Sequence, residues 1–197
     1  MANIADEDLM IMFQNGNVQA FDCLFEKHRA SVFNFIYRML NRQRDSAEDL
    51  LQEIFVKIFK AKDLYQPKAK FSTWLFSITR NHCLNFLKSQ RYLQGISNIS
   101  MDDQDKTFGL NRVEKLLAKQ ENQENRNKIK QEYLSEILEQ AINAIPDDYK
   151  EIFLLHAVEG YSHEQIAGIL EMNPATVRTN YHRAKLMIRK KIGHVFI

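Results

Sequence analysis

The chain has 197 residues, 45% of them hydrophobic, enough for one or two modest cores, so two small domains are as reasonable as one. Lys and Arg number 27 against 25 Asp and Glu, a net charge of +2; no run of about 18 apolar residues suggests a membrane span, and the acidic stretch Met1 to Leu9 has no apolar leader core, so a cytoplasmic protein without membrane insertion is expected. Cys23 and Cys83 stand apart within helical patterns, which argues against a disulfide framework or a CxxC site and predicts reduced core thiols.

Phe21, Leu24, Phe25, His28, Val32, Phe35, Ile36 and Met39 recur at three-and-four spacing, which predicts one amphipathic helix from Asn17 to Leu40 with Asn17 as its cap. Asp45 to Ala61 repeats the pattern through Leu50, Leu51, Ile54, Phe55 and Ile58. Lys62 to Lys70, which contains Pro67, reads as a loop. A further helix is predicted to about Arg91, with Ser72 as N-cap and Phe71 stapled onto Phe76.

Charge is unevenly distributed along these elements. Asp45, Glu48, Asp49 and Glu53 share one helix face, where like charges four apart cost a few tenths of a kcal/mol each. A cationic partner would offset that cost, although a solvated acidic face has the same pattern; a metal site is disfavoured because no histidine lies near at ligand spacing. Lys57 to Arg91 then holds eight Lys or Arg against the single acid Asp63. Trp74, Ser77, Asn81, Asn85 and Lys88 form one stripe of the helix after Ser72, with Arg80 and Arg91 alongside. Rings, amides and cations together suit a DNA strand, whose bases stack or accept hydrogen bonds while its phosphates meet Lys and Arg. Trp74, taken alone, is better suited to a core.

From residue 92 to 127 the character changes to Gly, Asp, Gln and Asn with a short apolar cluster at Val113, Leu116 and Leu117, which reads as a linker. Helical pattern returns with Leu134, Ile137, Leu138, Ala141 and Ile145, breaks at Pro146, resumes through Ile152, Phe153 and Leu155, and stops at Gly160. Ser162 with Gln165 is a capping box opening a helix that carries Ile166, Ile169 and Leu170. Asn173 and Pro174 suit the N-cap and first position of another helix directly after it, so the pair should cross steeply as a helix-turn-helix. No acid follows Pro174, while Arg178, Arg183, Lys185, Arg189, Lys190 and Lys191 do, and Val177, Ala184 and Ile188 form an apolar side. That is the charge pattern of a recognition helix.

The run Asp45-Ser46-Ala47-Glu48-Asp49-Leu50-Leu51-Gln52-Glu53-Ile54-Phe55, followed by Phe71-Ser72-Thr73-Trp74-Leu75 with Ile78, Arg80 and Asn81, resembles domain two of the extracytoplasmic-function sigma factors of bacterial RNA polymerase. Ile145-Pro146, Ile152-Phe153 and Tyr161-Ser162 through Lys185 resemble their domain four. The resemblance implies an all-α fold of two small helical domains: residues 1–91 for core-polymerase binding and the -10 element, a linker over 92–127, and residues 128–197 for the -35 element. It implies that Leu50, Gln52 and Phe55 join Asp45, Glu48, Asp49 and Glu53 in docking core polymerase. It gives Lys70, Phe71, Asn81 and the loop from Tyr65 to Lys70 a part in capturing an unstacked -10 base, beside Trp74, Ser77, Arg80, Asn85, Lys88 and Arg91. It turns Thr176, Arg178, Thr179, His182, Arg183 and Lys185 toward the -35 element. Glu171 stands where the motif usually has glycine, and Asn180 where a basic residue is common. The expected function is promoter recognition and assistance in melting, with core RNA polymerase and promoter DNA as partners, room for an anti-sigma factor or another dedicated recruiter, no cofactor, no metal and no enzymatic chemistry. A stand-alone helix-turn-helix regulator is the alternative, to which the acidic motif is foreign; an enzyme would need a nucleophile and base that cannot be read here.

Overall fold

The computed structural model describes residues 4–93 and 123–193, and the regular elements among them are all helices. The first is α1, Asp6–Gln14, whose opening turn holds Asp6, Glu7 and Asp8, favourable against the helix dipole. It buries Leu9, Met10 and Phe13 and was not foreseen in the acidic N-terminal segment. Gly16, at φ +97°, turns the chain into α2, Val18–Met39. There the Asn17 side chain accepts from the Ala20 N–H, as its capping role requires. Asn41 and Arg42 both adopt positive φ between α2 and α3, Arg44–Lys60. A 3-10 turn over Lys62–Leu64 and a loop lead to α4, Phe71–Leu93.

The N-terminus of α4 departs from expectation. Lys70 is its cap, since the Lys70 carbonyl accepts from Thr73 and Trp74, and Glu7 Oε1 of α1 accepts the Phe71 N–H at 2.9 Å. Ser72 therefore lies inside the first turn. Phe71 packs against His28, Tyr65 and Trp74 rather than stapling onto Phe76, which meets Phe35 instead.

The linker residues 94–122 lie outside the described residues, as do Val113, Leu116 and Leu117. Helix α5, Gln123–Asn143, begins inside the segment read as linker. Pro146 precedes α6, Asp147–Phe153, which passes into a π turn over Leu154–Val158 and ends at Gly160 with φ +77°. Helices α7, His163–Leu170, and α8, Pro174–Gly193, form the helix-turn-helix. Both sides of the Ser162–Gln165 capping box are present, and Asn173 Oδ1 accepts the Ala175 N–H at 2.8 Å. Ile166, Ile169, Leu170, Val177, Ala184 and Ile188 are buried between α6, α7 and α8.

The two bundles, α1 to α4 and α5 to α8, pack directly together, α4 against α7 and α2 against α6 and the π turn, in one continuous apolar core. Phe76 meets Tyr161 edge-on at 5.1 Å.

Candidate polymerase and nucleic-acid interfaces

Helix α3 divides its residues by face. Asp45, Glu48, Asp49, Gln52 and Glu53 are exposed, whereas Leu50 and Phe55 are buried, Phe55 against Phe25 at 4.8 Å. Leu50 and Phe55, expected to join that face, instead lie beneath it and support it from within. Val56 and Phe59, 53% and 43% exposed, continue the exposed stripe by the same three-and-four spacing, and sequence reasoning missed them. They put apolar area beside the carboxylates, and a shallow groove lined by Glu53, Val56, Lys57, Lys60, Ala61 and Leu64 adjoins them. The carboxylates are not self-neutralised. Among the described residues, only Glu48 has an ion pair on this face, with Arg44 at 2.8 Å, and so exposed a pair is worth little.

Helix α4 presents three sides. Leu75 and Thr79 turn into the first bundle, and Phe71, 1% exposed, lies with them, so it is a core ring and not a free base-capturing one. Tyr65 is buried too; burial raises its hydroxyl above the ordinary value, and it donates to Ala69 O at 3.0 Å. With Gln14 donating to Lys62 O and Tyr65 O, this bond fixes the loop before α4. A second side faces the helix-turn-helix bundle. It holds Phe76 and Cys83, and Arg80, which donates from Nε and Nη2 to Glu151 at 2.7 and 3.0 Å; Arg91 pairs with Asp147. Arg80 and Arg91 are therefore bound to acids of the second bundle in this structure.

The third side keeps the stripe. Asn81, Asn85 and Lys88 are exposed, Trp74 and Ser77 half-buried, and Lys70 is exposed at the helix start. Trp74 lies between core and surface, against Tyr65 at 5.3 Å and Phe71 at 6.0 Å. Ser77 spends its hydroxyl proton on Trp74 O. What remains for a ligand is an aromatic edge, two amides and two lysines along one line.

On α8, Thr176, Arg178, Thr179, His182, Arg183 and Lys185 are all exposed, and the hydroxyl of Thr179 donates back to Ala175 O. Lys185 sits over the Tyr181 ring at 4.8 Å, partly engaged within the domain. Beneath, His156 and His163 stack at 4.4 Å. Burial, with the neighbouring His156 and Arg178, lowers His163's affinity for a proton. The turn before α8 is made by Glu171 at φ +53°, ψ +44°, the left-handed conformation that glycine would adopt without cost. Neither a group of metal-ligating side chains nor a helix long and apolar enough to cross a membrane occurs among the described residues.

The chain thus joins an open basic helix in a helix-turn-helix to a bundle with an acidic face and an amide-rich helix. Residues 24–92 match the family described as Sigma-70 region 2, and residues 135–188 the family described as Sigma-70, region 4. Among curated relatives, the ECF RNA polymerase sigma-E factor of Haemophilus influenzae is 28% identical over 189 residues, 96% of each chain. The RNA polymerase sigma factor CarQ of Myxococcus xanthus is 26% identical over 195 residues, covering 94% of this chain and 97% of its own. The solved structure of CnrH in complex with the cytosolic domain of CnrY shares the fold, with a TM-score of 0.66 at 18% identity over 96% of this chain and 98% of that one. So does the sigma factor RpoE in complex with the anti-sigma factor NepR from Bartonella quintana, with a TM-score of 0.62 at 19% identity over 88% of this chain and 96% of that one. The chain belongs to the extracytoplasmic-function (ECF) sigma factors.

Proposed function

We propose that this chain, acting inside the cell as an ECF sigma factor, binds core RNA polymerase, directs it to promoters through their -35 and -10 elements and assists melting of the start region. The observation that carries this reading is the presence of both sigma-70 regions, in order, on two bundles of one chain. A stand-alone regulator has no use for the first of them.

The residue roles follow from exposure and chemistry. Asp45, Glu48, Asp49, Gln52 and Glu53, with Val56 and Phe59, form the face for core polymerase, and carboxylates around apolar area suit a basic, partly apolar clamp. Asn81, Asn85, Lys88, Trp74 and Lys70 meet the opened -10 strand, with Arg80 and Arg91 joining once released from Glu151 and Asp147. Arg178, Thr179, His182 and Arg183 face the -35 element, Arg178 and Arg183 being able to grip a guanine edge with two hydrogen bonds. Because the sigma factor RpoE, which shares this fold, is solved with the anti-sigma factor NepR, an anti-sigma factor is a reasonable further partner. The test is reconstitution with core polymerase and run-off transcription from a promoter library: specific start sites that depend on this chain support the reading, and an absence of stable core binding refutes it.

A further inference from the structure

Two residues of α1 that belong to neither proposed interface hold the loop before α4 at both of its ends. Gln14 uses its amide protons on the near side, donating from Nε2 to Lys62 O at 2.7 Å and to Tyr65 O at 3.0 Å. Glu7 Oε1 accepts the Phe71 N–H at 2.9 Å on the far side. Positions 7 and 14 are about two helical turns apart, so both side chains leave one face of α1. Between the two grips Tyr65 is buried, and its hydroxyl donates to Ala69 O at 3.0 Å across the base of the loop. Residues 66 to 70 are all exposed and belong to no regular element.

Helix α1 is itself fixed. It buries Leu9, Met10 and Phe13 and packs on α2, the 3-10 turn and α4. Asp6 pairs with Lys27 and His28 of α2, and the His28 ring lies 5.4 Å from that of Phe71. Lys62 Nζ rests over the Phe13 ring at 5.3 Å. One side of α1 is thus anchored in the core while polar side chains at its two ends reach an exposed loop.

We propose that Gln14 and Glu7 are positioning residues for -10 recognition: α1 is a splint that keeps the loop from Tyr65 to Lys70 in one shape, and -10 base preference depends on it without α1 touching DNA. The inference rests on the sigma-factor reading, which puts Lys70 and the stripe that starts at Trp74 against the opened strand. The loop leads straight into that stripe. It carries an amide at Gln66, able to donate to and accept from a base edge, and cations at Lys68 and Lys70, which suit phosphates. Discrimination between bases needs these groups at fixed positions, because a hydrogen bond weakens steeply with misalignment. A loop held in advance in its bound shape also lowers the ordering cost of binding. Once freed, the same loop adapts to the wrong base as well as the right one, so selectivity falls more than affinity does.

The test compares the full chain with Gln14→Leu, which removes both donors without adding charge, and with Glu7→Ala. Ile36→Val, a buried change in α2, is the control for a general loss of stability. In the free chain, trypsin cleavage after Lys68 and Lys70, followed by mass spectrometry, should be at least about tenfold faster in Gln14→Leu than in wild type or Ile36→Val. Each chain is then reconstituted with core polymerase and run on a promoter library. Gln14→Leu should flatten preference at one or two -10 positions by about fivefold or more, with core binding and -35 preference unchanged. Glu7→Ala should act in the same direction, and the double variant should add little to either, because both residues hold one loop. Unchanged cleavage overturns the splint. So does faster cleavage with wild-type -10 preference, or a loss spread evenly over -10 and -35 as in Ile36→Val. A wild-type holoenzyme without defined start sites refutes the sigma reading and this role with it, whereas a selective wild type beside an equally selective Gln14→Leu refutes the role of α1 alone.

Discussion

Glu7 of α1 accepts the backbone N–H of Phe71, 64 residues further along the chain, and so caps the helix that carries the proposed -10 contacts. The carboxylate answers one of the four unpaired N–H groups that open α4 and sets a negative charge at its positive end. It also ties α1, seated on the core by Leu9, Met10 and Phe13, to the start of α4. Glu7→Ala should cost about 1 kcal/mol, lowering the melting temperature by about 2–4 °C for a chain of this size, and Glu7→Gln should keep part of the bond. Thermal melts followed by circular dichroism check this. Equal stability of the alanine variant and wild type would mean the bond adds nothing over water.

Glu171 offers a gain instead. At φ +53° it holds a conformation that costs a side-chain-bearing residue about 1 kcal/mol. Glu171→Gly should therefore raise the stability of the helix-turn-helix by up to about 1 kcal/mol, less what glycine loses in unfolded-chain freedom. Urea titration measures it, and a loss of more than that amount would show that the Glu171 side chain makes a contact of its own.

For the -35 element, charge position separates two roles on α8. Arg178→Ala should cost about 1–3 kcal/mol on the preferred sequence and relax preference at one or two base pairs, whereas Lys190→Ala should weaken every sequence alike and flatten the salt dependence. Binding titrations on a set of -35 variants at several salt concentrations distinguish them. Identical effects of the two changes on all sequences would remove base reading from Arg178.

Asn81, exposed on the open stripe of α4, is proposed to meet an unpaired base. Asn81→Ala should impair transcription from duplex promoters and change preference at one -10 position, and a pre-melted bubble should restore much of the activity because unpairing, a cost of a few kcal/mol, is already met. Trp74→Ala serves as the control: packed on Tyr65 and Phe71, it should lose stability and fail on both templates. If Asn81→Ala behaves alike on duplex and bubble with unchanged preference, the stripe is a phosphate track only.

The helices that could be read from the sequence are those that announce their own ends. Asn17, the Ser162–Gln165 box and Asn173 with Pro174 each act within three residues, and the apolar spacing of α2, α3 and α7 is long or regular enough to fix a face. Helix α1 has nine residues and an Ala5 cap with no side-chain bond, so its local mark is no more than the acidic first turn of Asp6, Glu7 and Asp8. Ser72 has a good cap's chemistry, but the cap position falls on Lys70 and the capping carboxylate comes from Glu7, far away in sequence. At the sites, charge and amide patterns were legible because exposed residues keep their chemistry whatever the packing. Phe71, Leu50 and Phe55 were not, because an aromatic or aliphatic residue beside a charged stripe looks the same whether it faces a partner or the core. Arg80 with Glu151, 71 residues apart, is a product of how two bundles meet, which no local spacing encodes.

Core-polymerase binding tests the central claim most directly. Purified chain and core RNA polymerase, mixed and run on gel filtration, should elute as a stable stoichiometric complex that starts transcripts at defined promoters. Asp49→Arg, an exposed change on the acidic face, should weaken that complex by a few kcal/mol while the circular dichroism spectrum stays helical. Failure of the wild-type chain to co-elute with core polymerase, or an Asp49→Arg variant that binds core as tightly as wild type, would contradict the sigma reading in the first case and the docking face in the second.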